Sequence, residues 1–160
     1  MQDIRTIQGK AKIKLEVNLW LLAIAFTLFT FIVTINPGLI RENVFLSLQI
    51  TLAIPLLCSS MLARAKLCYS EKPGKWESYG FITYILAYGF LINVVGILLS
   101  ILASIEMAIS FWVLNIISAV IYSTLEVTED NEKISDRILK DGVFVVILLL
   151  LGILPALGAY

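Results

Sequence analysis

The chain has 160 residues, 59% of them hydrophobic and 15% charged, with a mean hydropathy of +0.93. A water-soluble domain carries about 25% charged residues and needs polar surface to cover its core, so this composition excludes a soluble globule and points to a bilayer. Twelve basic and twelve acidic residues balance, which leaves no electrostatic footprint for nucleic acid.

The first sixteen residues are polar and basic. Ile4, Ile7, Ala11 and Leu15 recur at near-helical spacing, while Lys10 to Leu15 alternates charged and apolar as a strand would. A basic cytoplasmic flank, or a helix lying on the inner membrane surface, accounts for these residues. The apolar run Val17–Ile35 ends in Asn36-Pro37-Gly38, a turn with no small-residue cleavage site, and reads as a retained anchor.

Crossing about 30 Å of hydrocarbon takes roughly 20 helical residues. Val17–Ile35, Val44–Ala63 and Val143–Tyr160 each meet that length or nearly so. The stretch Tyr79–Leu125 has 47 residues, about 70 Å as one helix, and must cross twice. Small, polar and charged residues gather within it at Ala103-Ser104-Ile105-Glu106, so helices over 79–102 and 107–125 are expected, folded as a tight hairpin. The expected fold is thus an all-α integral membrane protein with five transmembrane helices (17–35, 44–63, 79–102, 107–125 and 143–160). Segment 1–16 and the polar loops 64–78 and 126–142 would face the cytoplasm.

Basic residues orient such a protein, because Lys and Arg stay on the cytoplasmic side. With the N-terminus inside and the C-terminus outside, eleven of the twelve fall on inner segments and only Arg41 lies outside. Trp20, Trp76 and Tyr79 fall near inner boundaries, where aromatic belts form, whereas Trp112 lies inside a span and fits that belt poorly.

Within hydrocarbon, helices hold together through small residues and interhelical hydrogen bonds. Gly89, Asn93, Gly96 and Ser100 share one face of the third helix. Folding the hairpin about Ser104 sets Gly96 against Trp112, Ser100 against Ala108, Gly89 against Ala119, and Asn93 against Asn115 as an amide pair. Similar stripes are expected at Ala23, Thr27, Thr30 and Thr34, and at Gln49, Ala53, Ser60 and Ala63. Pro55 and Pro155 would free the carbonyls of Thr51 and Leu151 and kink their helices. No ionisable residue is expected deep in the membrane; Arg64, Glu106 and Glu126 sit at helix ends.

Catalytic, cofactor and metal-ligating residues are not expected. The chain has no histidine, no CxxC between Cys58 and Cys68, no HExxH and no phosphate-binding glycine loop. Glu126, Glu129, Asp130 and Glu132 lack regular ligand spacing and read as a solvated face, with Ser135 capping a short helix that pairs Asp136 with Lys140. Two functional classes remain for a cell-membrane protein of this kind. The expected one, favoured by small size, polar stripes on several helices and kinks, is a homo-oligomeric channel or solute-conducting protein, its polar path drawn from Asn93, Asn115, Gln49, Thr27, Thr51, Gly89, Gly96 and Ser100. The other is a non-catalytic subunit or scaffold that uses the same residues to pack against a partner membrane protein.

Overall fold

The computed structural model describes residues 4–70, 74–130 and 134–158, with side chains over 9–70, 75–125 and 141–158. The described residues are all helical or in short turns. Helix α1 runs Ile4–Ile35 and the short α2 Gly38–Glu42; α3 spans Val44–Tyr69 and α4 Gly74–Leu102. Helix α5 covers Ile105–Asp130 and α6 Ile134–Leu148, which passes through a π-helical turn, Leu149–Ile153, into α7, Leu154–Gly158.

Five stretches are long and apolar enough to cross a membrane: Gly9–Ile35, Val44–Tyr69, Lys75–Leu102, Ile105–Leu125 and Asp141–Gly158. In hydrocarbon only a helix can satisfy every backbone N–H and C=O from within its own segment. The chain is accordingly a multi-pass membrane protein.

Most helices outrun their apolar cores. Nothing at Val17 or Ala63 stops a helix, so α1 reaches back through the basic segment and α3 continues to Tyr69. Residues 71–73 of the expected loop 64–78 and the side chains of Glu126, Glu129, Asp130, Glu132, Ser135, Asp136 and Lys140 lie outside the described ones.

The chain divides into two compact units, Met1–Leu91 and Ile92–Tyr160. In the first, α1 packs along α3. The bend between them is closed by local polar contacts. Asn36 Oδ1 accepts from the Gly38 N–H at 3.0 Å, Asn43 caps α3 by accepting from the Leu46 N–H at 2.9 Å, and the Ser47 hydroxyl donates to the Ile40 carbonyl.

From that bend the two helices run in step. Ile32 and Leu46 lie seven residues either side of Leu39, Ala25 and Ala53 fourteen, Asn18 and Ser60 twenty-one, Ala11 and Leu67 twenty-eight; all eight are buried. A seven-residue repeat keeps one seam of a helix facing its partner, as in a left-handed coiled coil. The buried positions of α3 confirm it, advancing by four and three through Leu46, Ile50, Ala53, Leu57, Ser60, Arg64 and Leu67. Gln49, Ala53, Ser60 and Ala63 are buried as their stripe required. The stripe expected on the first helix is not: Ala23, Thr27, Thr30 and Thr34 all face outward. Their spacing was helical, but the seam runs along Ala11, Asn18, Ala25 and Ile32, a face about a third of a turn away or more.

A relay of hydrogen bonds ties α4 to this pair. Asn18 Nδ2 donates to Ser60 Oγ at 2.8 Å, and Ser60 Oγ donates to the Gly80 carbonyl at 2.7 Å. Gly80 allows the approach, since a Cβ there would lie 3.0 Å from the Ala63 Cβ. Ser60→Ala removes acceptor and donor together and should lower stability by about 1–2 kcal/mol in detergent unfolding. Thr83, whose hydroxyl bonds the Tyr79 carbonyl of its own helix at 2.8 Å, should lose less than about 0.5 kcal/mol as Thr83→Ala.

Candidate functional site

Polar side chains that cannot reach water in a membrane mark either packing or function, so the site is built from them. In the second unit the central group is Asn93, fully buried on α4. Both ends of its amide are engaged: Nδ2 donates to the Ile147 carbonyl of α6 at 3.1 Å, and Oδ1 accepts from Trp112 Nε1 of α5 at 3.2 Å. One side chain therefore holds three helices.

Two glycines make room for this contact. A Cβ on Gly96 would overlap the Trp112 ring, and a Cβ on Gly152 would overlap the Asn93 amide and come within 3.1 Å of Trp112 Nε1. Close approach is what requires glycine at both places. Trp112 is itself fully buried, which explains why it has no place in an aromatic belt.

Gly152 lies in the π-helical turn, where the Leu154 N–H bonds the Leu149 carbonyl five residues back. Pro155 follows at once. It cannot donate to the carbonyl four residues behind it, that of Leu151, and its ring presses on that carbonyl; a wide turn just ahead relieves the clash. The extra residue also swells the helix locally, bringing Gly152 against Asn93. Polar groups from neighbouring helices commonly attend such irregular turns, and the Asn93 amide on the Ile147 carbonyl is one.

The structure corrects the expected Asn93–Asn115 pair. Asn115 is half-buried and its Nδ2 donates to the Phe111 carbonyl of its own helix at 2.9 Å. The indole, laid across Gly96, reaches Asn93 instead. A buried indole N–H has to find an acceptor from elsewhere, whereas an asparagine can bond the preceding turn of its own helix.

The remaining candidates do not converge on this point. Ser100 is buried and donates to the Ile97 carbonyl at 2.8 Å, and Gly89 is buried in the first unit. Gln49 is buried there too, its Nε2 donating to the Phe45 carbonyl at 3.1 Å. Thr27 faces outward with its hydroxyl on the Ala23 carbonyl at 2.9 Å, and Thr51 is exposed. Of the eight, the structure brings Asn93 and Gly96 together, around Trp112. Sequence reasoning overlooked Asn18 and Ser60 as partners and placed Arg64 at a helix end without its burial; Arg64 is 3% exposed. The seven-residue seam was the signal that could have found Asn18.

Among the described residues no three Cys, Asp or Glu side chains gather where they could hold a metal ion. Cys58 and Cys68 are free thiols, the first exposed and the second half-buried. The chain matches no protein family, no curated protein and no solved structure.

Four substitutions test the site by unfolding in detergent. Trp112→Phe, which removes the N–H and leaves a cavity where the indole's second ring lay, should cost about 2–4 kcal/mol, and Asn93→Leu, which strands that N–H in the core, about 2–3 kcal/mol. Gly152→Ala should cost about 1–3 kcal/mol through overpacking. Asn115→Leu should stay within about 0.5 kcal/mol of wild type, since its amide bond is local.

Proposed function

We propose that this protein is a non-catalytic membrane subunit or scaffold that packs against another membrane protein. The supporting observation is how its best-buried amide is used. Asn93, the strongest candidate for a polar path, has its oxygen on Trp112 and its nitrogen on Ile147, with Gly152 closing over it. A group that coordinates a permeant ion or solute needs lone pairs or donors turned to an open space. Thr27 and Thr51 face outward, away from any buried path.

The outward faces suit docking. Only 11% of the most apolar stretch of α5 is buried, and 17% of that of α1. On α5 the exposed Ser110, Leu114 and Ser118 lie on one face, at four-residue intervals.

In this reading the chain sits in the cell membrane with its N-terminus cytoplasmic, following the eleven-to-one division of basic residues. Helices α4 and α5 form a hairpin about Ala103 and Ser104, with Ser104 capping α5 by accepting from the Met107 N–H at 3.3 Å. Tags at the two ends should be reached from opposite sides of sealed vesicles.

Purified protein in liposomes should pass potassium or sodium no faster than empty vesicles, and in mild detergent it should co-purify with one stoichiometric membrane protein. A symmetric oligomer of this chain alone, with ion flux abolished by Asn93→Leu in folded protein, would establish the conducting path and end the subunit reading.

A further inference from the structure

Arg64 is a buried cation in an apolar helix. It lies in the seam of α3, 3% exposed, and makes no hydrogen bond or ion pair with any described residue. Glu77 and Tyr84 of α4 both act on it electrostatically, Glu77 from beyond ion-pair distance and from an exposed position.

The acceptor beside it is already taken. Gly80 brings the α4 backbone against Arg64, such that a Cβ at Gly80 would lie 3.4 Å from Nε and 3.6 Å from Cζ. Its carbonyl receives the Ser60 hydroxyl at 2.7 Å and the Thr83 hydroxyl at 3.4 Å. A guanidinium carries five N–H donors and stays charged, so this little exposure without a paired carboxylate is costly. Among the described residues no carboxylate lies within ion-pair distance of it, which leaves room for an anion from outside the chain.

The level of Arg64 indicates which anion. It stands five residues before the end of α3 at Tyr69, which is 87% exposed. Lys66 and Lys75 are exposed at the same end of the first unit, with Trp76 and Tyr79 beside them on α4. Basic residues with aromatic rings mark the headgroup zone, where phosphate is the abundant anion. Arginine matches phosphate with two parallel N–H bonds, and its apolar stem can stay buried while the head turns outward.

We propose that Arg64 binds a phosphate group at this end of α3, carried by an anionic phospholipid headgroup. The site stands whether or not the subunit reading holds.

The test uses the full chain in a maltoside detergent, which has no phosphate, and follows the thermal midpoint of unfolding. Phosphatidylglycerol added to the micelles should raise the wild-type midpoint by about 4 °C, as a ligand of the folded state does. Arg64→Gln should abolish the rise. Lys66→Gln removes one exposed charge from the same end and should retain it, which separates a site from general attraction to anionic lipid. Inorganic phosphate in place of lipid distinguishes the sources. No rise with it supports a lipid-borne group, and an equal rise that Arg64→Gln also removes supports the same phosphate site filled from solution. An equal rise in wild type and Arg64→Gln with phosphatidylglycerol, or none in wild type, overturns the proposal. Should Arg64→Gln not fold, wild-type protein from an equal mixture of phosphatidylglycerol and an uncharged glycolipid is weighed by native mass spectrometry. Retention of phosphatidylglycerol over glycolipid by about threefold or more supports the site, and equal retention overturns it.

Discussion

Inside a bilayer a polar group has no water to fall back on, and each one left unpaired costs several kcal/mol. That constraint decides far more here than apolar contact, because lipid tails are as apolar as the leucines they touch. Helices must be joined by groups that lipid cannot replace. In the first unit this is done by Asn18, Ser60 and the Gly80 carbonyl, in the second by Asn93, Trp112 and the Ile147 carbonyl. Each trio draws one member from each of three helices. Each needs a glycine, because these bonds form only where two helices approach closely enough for a side chain to reach across.

Apolar surface plays a different part. Large hydrophobic side chains such as Trp20, Leu62 and Leu114 are among the most exposed, as befits a protein whose solvent on that side is hydrocarbon. Small residues and amides lie inside beside buried leucines and isoleucines, and five of the eight paired seam positions of α1 and α3 are alanine, asparagine or serine.

Much of the architecture was legible from residue type and distance along the chain. Span number followed from apolar length, and the face shared by Gly89, Asn93, Gly96 and Ser100 is buried throughout. Gly96 under Trp112 was legible too, because a large ring needs a missing side chain opposite it. What symmetry about a turn could not supply was a third helix. The Ile147 carbonyl lies 54 residues from Asn93, and no two-helix argument reaches it. Asn18 was hidden for another reason: Val17, Leu19 and Trp20 surround it in sequence, and its significance lies in a repeat of seven that ordinary residues such as Ala11 and Ile32 carry. The stripe of threonines on α1 misled because hydroxyls in a membrane helix can bond the turn before them, as Thr27 does, and need no neighbour.

The wide turn at Leu149–Ile153 has a geometric consequence of its own. A π turn accommodates one residue more than an α turn, and one residue is about 100° of helical rotation. Everything after it is swung round the axis by that angle, so Pro155 and Ala156 present faces that an unbroken helix would have turned elsewhere. Such a turn behaves as a single inserted residue that the helix absorbed without breaking. Deleting one residue from it would restore the regular winding and carry the end of the chain round with it, while withdrawing Gly152 from its place beside Asn93.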